Sequence, residues 1–428
     1  MNAPARAVIV ADDLTGACDT GVQLAQDGNP CPVVLADSPV RIGASALADV
    51  AREHGRLVVD TESRHLHPDE ARSRVRTIAA SLSTLGVRLI YKKVDSTLRG
   101  RIAAEIEALC SVLDDRVVVV APAYPAAGRT TVNGVCLVNG VPVHQTEFGR
   151  DRRSPVRTSR IADHLPDGAD VGHATVATSE HILADAQRGQ IIVVDAETRN
   201  DLDALARHVA REPGRYLLVG SAGLAAALGP AIAPPARPAR DAGDAGGAAP
   251  RPAAPVLGIV GSLSERSREQ AAYVRRHRRP VAIDVNPEPR GDEANHATRA
   301  LERGHDVLVS TVPPEPTVEE RSGADDGSTA DALARALGEI ALRALSRVPA
   351  TRLFVTGGDT AVAVLDALHA RVVHVYREIA PGVPAMTIAA RVADRELEVP
   401  AVTKAGGFGE RTVMDEAFAC LGEGRCLE

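Results

Sequence analysis

A repeating rhythm constrains this chain more than any single motif. Short runs of β-branched and aliphatic residues alternate with longer stretches whose apolar residues recur at helical spacing. Ala7–Ala11, Pro32–Ala36, Leu57–Asp60, Leu89–Lys92, Val117–Ala121, Ile191–Asp195 and Tyr216–Gly220 read as strands buried on both faces. Asp69–Leu85 and Ile102–Leu113 read as amphipathic helices between them. The rhythm stops at Gly229–Pro255, almost all Ala, Pro, Gly, Arg and Asp, from which no core can be built. It then restarts with strands at Val256–Val260, Val281–Val285, Val307–Ser310, Leu353–Thr356 and near Val372–Val375. Helices fit Glu265–Arg276, Ala330–Leu345 and Thr360–Leu368. Parallel strands need a crossover, and a helix usually supplies it. The expectation is an α/β protein of two doubly wound, mostly parallel-sheet domains, residues 1–230 and 255–428, joined by a flexible Ala/Pro linker at 231–254. Residues 122–160 interrupt the pattern with turns and short β-like pieces at Val135–Leu137 and Val141–Val143, a hairpin excursion carrying polar loops. Residues 313–328 read as an exposed loop. Two such domains make a cleft, the usual seat of a ligand.

Composition removes several function classes. A net charge of −7 and nine aromatic residues, none of them Trp, argue against a nucleic-acid binder. No apolar run is long enough to span a membrane, and the N-terminus enters a strand with no signal-peptide core, so a cytoplasmic protein is expected. The six cysteines form no CxxC pair and no zinc-spaced cluster, which predicts reduced, inert thiols. An anionic ligand must find local positive charge. Of 49 basic residues only Lys92, Lys93 and Lys404 are lysines, so they stand where a compact ammonium is wanted rather than a planar fork.

Two segments in the first half follow strands and carry chemistry. Asp12 and Asp13, in Ala11-Asp12-Asp13-Leu14-Thr15-Gly16, lie at the carboxyl end of the first strand, where open α/β sheets bind ligands. They could accept hydroxyl hydrogen bonds or act as a base, and one of them could simply cap the next helix. Lys92 to Arg101 concentrates two Lys and two Arg at a predicted helix N-terminus, with Asp95 the one acid among them. Lys93, Asp95, Ser96, Thr97 and Arg99 are therefore candidates for holding a carboxylate or phosphate. Arg64 occupies the equivalent place after a neighbouring strand. The loops Pro122–Thr130 and His144–Asp151 are polar enough to contribute, with His144 a weaker candidate base.

Three glycine-rich turns mark the second half: Gly261–Ser264, Thr356–Thr360 and Lys404–Gly409. Glycine lets backbone N–H groups approach phosphate oxygens. Ser262, Thr356, Gly357, Gly358, Asp359, Thr360 and Gly406 are the candidate nucleotide contacts. Neither GxxxxGK[ST] nor GxGxxG after the first strand is present, which disfavours a nicotinamide dehydrogenase. No metal ligand can be named, although Asp359 is placed to reach Mg2+ directly or through water.

ADDLTGACDTG, DTESR at 60–64, KKVDSTLRG, APAYPAAGRTTVNG, GSLS, VTGGDTA and TKAGGFG together resemble the four-carbon acid sugar kinase family. The resemblance implies an N-terminal domain for the sugar acid and a C-terminal domain for ATP; phosphoryl transfer then calls for Mg2+ bridging the phosphates. It places Asp12, Asp13, Arg64 and Lys93 through Thr97 in the substrate site, and Ser262, Thr356 to Thr360 and Gly406 in the ATP site. The KVDSTLRG wording is closer to the threonate kinase branch than to the 3-oxo-tetronate branch. The long linker and Arg101, where Pro or Asn is more usual, depart from the family pattern. The expected activity is ATP-dependent phosphorylation of the terminal hydroxyl of a tetronate, with Asp12 or Asp13 as base; a nonenzymatic sensor is the rival class. A homodimer is left open.

Overall fold

The computed structural model describes residues 7–25, 29–36, 44–113, 116–151, 153–232, 253–286, 292–311 and 328–427. The expected linker, apart from its first two and last two residues, and the expected loop at 313–328, apart from its last residue, lie outside them. The chain divides into two units, Met1–Leu24 with Cys31–Ala236 and Ala25–Pro30 with Arg237–Glu428.

In the first unit, helices connect strands in the expected rhythm: β1 (Ala7–Ala11), α1 (Leu14–Leu24), β2 (Cys31–Leu35), α2 (Ala44–His54), β3 (Arg56–Asp60), α3 (Pro68–Ser83), β4 (Leu89–Lys93), α4 (Ile102–Cys110) and β5 (Val117–Ala121). The excursion follows as β6 (Arg129–Val132), β7 (Val135–Val138) and β8 (Val141–Pro142), a small antiparallel sheet. The unit closes with β9 (Val171–Ala174), α5 (Val176–Asp185), β10 (Ile191–Val194), α6 (Arg199–Val209), β11 (Tyr216–Gly220) and α7 (Ala222–Ile232). Eight strands pair in the order β2-β3-β1-β4-β11-β5-β10-β9, every neighbour parallel. β1, β4, β5 and β11 are buried at every position, as strands covered on both faces must be. Edge strand β9, Val-Gly-His-Ala, has too little β-branched character to be read from sequence.

The second unit runs β12 (Val256–Val260), α8 (Glu265–His277), β13 (Val281–Val285), α9 (Glu293–Glu302), β14 (Val307–Thr311), α10 (Ser328–Arg347), β15 (Arg352–Thr356), α11 (Gly358–Ala367), β16 (Val372–Ala380), β17 (Val383–Val392), β18 (Arg395–Lys404) and α12 (Val413–Glu423). Its order is β13-β14-β12-β15-β18-β17-β16, parallel as far as β18 and antiparallel across β18, β17 and β16. β17 was not expected: Pro381-Gly382 mark the turn before it, but its own residues, Val-Pro-Ala-Met-Thr-Ile-Ala-Ala-Arg-Val, show no strand alternation. Phe354 on β15 packs against Phe418 on α12, ring centroids 5.9 Å apart, at the centre of the core beneath these strands.

The two units share a plan. In each, the first strand sends the chain two places to one side, the third strand fills the gap, and the fourth lies on the opposite flank. The order therefore reverses between β1 and β4 in one unit and between β12 and β15 in the other. Loops leaving those strand ends part there, which opens a crevice.

The cysteines correct one expectation. Cys420 and Cys426 are bridged, because left-handed Gly424 (φ 80°) turns the chain back after α12 and brings their Cα atoms to 5.0 Å. Cys18, Cys31, Cys110 and Cys136 are free, and burial pushes the Cys31 and Cys136 thiols up to about 12 and that of Cys110 to about 11. Thiols held protonated in this way are inert.

Candidate active site

The first crevice is organised by one arginine. Beyond β1, the carbonyl of Asp12 accepts the N–H groups of Ser63 (2.9 Å) and Arg64 (3.1 Å), stitching the loop after β3 to the loop after β1. Arg64 then spreads its guanidinium over both carboxylates. Nε and Nη2 donate to Asp12 Oδ2 and Oδ1 (2.7 and 3.1 Å), while Nη1 and Nη2 donate to Asp13 Oδ2 and Oδ1 (2.7 and 2.6 Å). Only a planar fork can serve four oxygens in this way. Burial disfavours charge on Arg64, but the two carboxylates outweigh it and hold the guanidinium well above its ordinary range. Burial likewise pushes the Asp12 carboxyl up, and Arg64 with Lys92 and Lys93 overcomes that, so it lies below the usual carboxylate range. Asp13 differs in access: its side chain is 17% exposed against 3% for Asp12. Asp13 Oδ1 also accepts the Gly16 N–H at 3.1 Å, so the capping role and the site role coincide in one residue.

The loop after β4 revises two expectations. No helix begins at Ser96 or Thr97; α4 starts at Ile102, behind Arg101, which provides no side-chain cap. Leu98 (φ 63°) and Gly100 (φ 108°) are left-handed, which a helix cannot include. At φ 108° Gly100 sits where L side chains are strained, and a Cβ there would also press on Asp12 Oδ2 at 3.0 Å. The four cations are not a common patch either. Successive strand residues face opposite sides of the sheet, so Lys92 and Lys93 part company. Lys92 is fully buried with its Nζ 2.9 Å from Glu105 Oε2 of α4. Arg101 Nε donates to the Leu66 carbonyl at 2.6 Å. Arg99 Nε donates to Asp95 Oδ2 at 2.7 Å, and its Nη1 reaches Asp151 at 3.3 Å. Thr97 Oγ1 also donates to Asp95, and Ser96 offers its carbonyl to Cys136 Sγ at 3.5 Å.

Lys93 is left. It is 4% exposed, donates to the Val94 carbonyl at 2.9 Å, and forms no ion pair among the described residues. A Cβ added to Gly16 would lie 2.7 Å from Lys93 Nζ and 2.5 Å from Asp13 Oδ1, so glycine at 16 is what lets these two groups close on one space. The site thus contains a reachable carboxylate beside a buried, uncommitted ammonium.

One residue here was invisible to motif reading. Glu105 accepts Ser63 Oγ at 2.5 Å as well as pairing with Lys92, and Ser63 Oγ lies 2.7 Å from Thr61 Oγ1, which donates to the Ala11 carbonyl. This buried chain ties α4 to the ends of β1, β3 and β4. Helical position alone marked Glu105 as one of α4's polar residues, with nothing to say that it faces inward. His144 stays within the excursion, its Nδ1 2.7 Å from Ser159 Oγ.

The second crevice gathers the three glycine turns. The N–H groups of Gly261 and Ser262 donate to the Thr356 carbonyl (3.1 and 3.2 Å), and that of Gly357 to the Lys404 carbonyl (3.2 Å). Ser264 caps α8 through Ser267 N–H at 3.2 Å and donates to the Gly406 carbonyl at 2.9 Å. The approach is close enough to require glycine: a Cβ on Gly406 would fall 2.2 Å from Ser262 Oγ. Gly357, at φ 110°, opens α11, and Gly358 and Asp359 are exposed in its first turn. Ser262, Gly357, Gly358, Asp359 and Gly406 line the turns, whereas Thr356 and Thr360 are buried beneath them.

Lys404 is turned onto its own loop. Its Nζ donates to the carbonyls of Ala405 (2.9 Å) and Gly406 (2.8 Å), holding its own loop from below. Burial first, and Arg266 second, pull this ammonium down to about 8. Among the described residues no group of three His, Cys, Asp or Glu side chains could hold a metal ion.

Comparison with known proteins covers both halves of the chain. Residues 7–228 match the model of a sugar-binding N-terminal domain, and residues 257–414 that of a nucleotide-binding C-terminal domain. A Salmonella typhimurium protein named D-threonate kinase is 34% identical, the match covering 98% of this chain and 99% of that one. A Bordetella bronchiseptica protein of the same name is 35% identical over 97% of this chain and 98% of its own length.

The chain belongs to the four-carbon acid sugar kinase family.

A solved Haemophilus influenzae structure, 20% identical, covers 97% of this chain and 100% of its own at a TM-score of 0.69, a likeness of fold alone. Within this family frame, the first crevice lies in the sugar-binding domain and the three turns in the nucleotide-binding domain. No helix among the described residues is long and apolar enough to cross a membrane.

Proposed function

We propose that this chain transfers the γ-phosphoryl group of Mg·ATP to the terminal hydroxyl of a four-carbon sugar acid, with D-threonate the first candidate. One observation carries the reading: Asp13, the reachable member of the carboxylate pair, shares its space with the uncommitted ammonium of Lys93. The names of the D-threonate kinases at 34% and 35% identity support the substrate class.

Phosphoryl transfer asks mainly for positioning and charge neutralisation. Asp13 takes the proton of the acceptor hydroxyl as its oxygen bonds to phosphorus, and the bond to the β-phosphate oxygen breaks with ADP keeping the electron pair. Asp12, buried and doubly bonded to Arg64, holds the arginine that holds Asp13. Lys93 lies where the phosphoryl group arrives and neutralises it. The turns at Gly261, Gly357 and Gly406 and the N-terminus of α11 hold the nucleotide phosphates. Asp359, the one acid in the three turns, is the side chain that would share a Mg2+ carried by the nucleotide, and the ion would supply charge neutralisation there.

An ADP-release screen with Mg·ATP and D-threonate, D-erythronate, L-threonate and 3-oxo-tetronates tests the reading. Turnover with a tetronate is expected. Turnover only with hexoses or nucleosides would refute it, and none with any acceptor would favour a sensor.

Lys93→Met keeps the apolar stem and removes the charge. A charge-assisted hydrogen bond is worth about 1.5–3 kcal/mol, so kcat/KM for the acid should fall about ten- to a hundredfold. The KM for ATP should move far less. Unchanged kinetics for the acid would make Lys93 structural.

Gly406→Val should do the converse, because a Cβ there meets Ser262 Oγ at 2.2 Å. Calorimetry is expected to show ATP affinity reduced at least about tenfold, with sugar-acid binding intact. Equal loss of both affinities would mean that the two sites are wrongly divided.

A further inference from the structure

If Asp13 and Lys93 attend the hydroxyl that receives phosphate, the carboxylate of the acid lies three carbon–carbon bonds away and needs its own cation. Arg64, Arg99 and Lys92 are already committed to carboxylates. Arg129, the first residue of β6, is not. Its guanidinium carbon lies 5.9 Å from the centroid of the Phe148 ring, and that of Arg99 lies 5.2 Å from the same centroid. The excursion is fastened beside the site loop, since β7 pairs Cys136 with Thr131 of β6 and the Cys136 thiol bonds to Ser96. Arg129 Nη1 donates to the Ala127 carbonyl, but Nε is sealed from solvent without an acceptor. Arg129 forms no ion pair among the described residues.

A shielded guanidinium N–H without an acceptor is costly. Its position over the Phe148 ring restrains the fork, and a guanidinium fork suits a carboxylate. We propose that Arg129 is the anchor for the substrate's carboxylate and sets the preference for an acid over the corresponding neutral polyol. The proposal rests on the kinase reading above for the identity of the ligand.

The test compares the full-length protein with Arg129→Gln and Arg129→Lys. Calorimetric titration with tetronate, without nucleotide, is expected to show affinity about ten- to a hundredfold weaker for Gln and partly restored for Lys. The ratio of kcat/KM for tetronate to that for the matching tetritol should collapse by the same factor, with thermal midpoints near wild type. Wild-type tetronate affinity in Arg129→Gln would overturn the proposal, as would equal loss for acid and polyol; Arg129 would then be a latch on Phe148. Should Gln fail to fold, a Lys variant that keeps the fold and shows no change in acid preference overturns it too. Wild type that binds tetronate without turning it over would fail the kinase reading alone; wild type that binds none would fail both.

Discussion

Asp13→Asn is expected to lower kcat about a hundred- to ten-thousandfold with the fold retained, the range a positioned general base contributes. Asparagine is nearly isosteric, so one oxygen can still accept from Arg64 or from the Gly16 N–H. The change removes the charge and the proton acceptor at the one carboxylate of the pair that substrate can reach. Tetronate affinity should change much less than kcat, because the reacting hydroxyl is only one of the substrate's contacts. Single-turnover kinetics with saturating Mg·ATP would separate chemistry from product release. The companion variant Asp12→Asn should differ in kind. Asp12 has both oxygens bonded to Arg64 in a buried setting, so its loss disturbs placement and stability together. Asp13→Asn with kcat within about threefold of wild type would remove Asp13 from the chemistry.

Glu105→Ala should cost about 3–5 kcal/mol of stability, the usual consequence of leaving a buried charge without its partner. Lys92 is fully buried, and its ammonium has Glu105 at 2.9 Å, with the carbonyls of Lys93 (3.0 Å) and Val10 (3.4 Å) as further acceptors. Burial raises the Glu105 carboxyl above its ordinary value, with Lys92 opposing that rise, so pairing does not fully offset desolvation. The pair is therefore costly to break and not especially stabilising to have. The double variant Lys92→Met/Glu105→Leu should accordingly fall within about 1 kcal/mol of wild type or exceed it. Urea denaturation of both singles and the double would give the coupling directly. A Glu105→Ala variant that loses less than about 1 kcal/mol would show that water or another group reaches Lys92. The double variant should still lose turnover, because Ser63 would have no Glu105 to hold it and the adjacent Arg64 is placed through that loop.

Much of this molecule is legible residue by residue. β1, β5, β11 and β12 begin and end where their apolar runs do, since a strand buried on both faces admits almost nothing polar and stops at the first turn residue. The glycine turns and the paired aspartates follow strand ends, and chemistry at strand ends belongs to this class of sheet. Local sequence also determined which residue types were available: two adjacent acids, three lysines in a chain of arginines, three glycine turns.

Tertiary structure decided their use. Arg64 and Asp12 are 52 positions apart, and nothing in either segment says that one guanidinium will clasp both carboxylates. That follows from β3 pairing beside β1, a choice made by the whole sheet. Lys92 and Lys93 are equal in sequence, yet one is spent on Glu105 and the other faces the crevice, because strand pleating assigns them to opposite sides. The charged patch expected at 92–101 was a count of cations, whereas its usable charge depends on which acids fold against it. Ion pairing is a long-range property of topology. Residue type and period are local, so they specify the strands, the turns and the candidate groups, and only the packed sheets select which of those groups remain free to act.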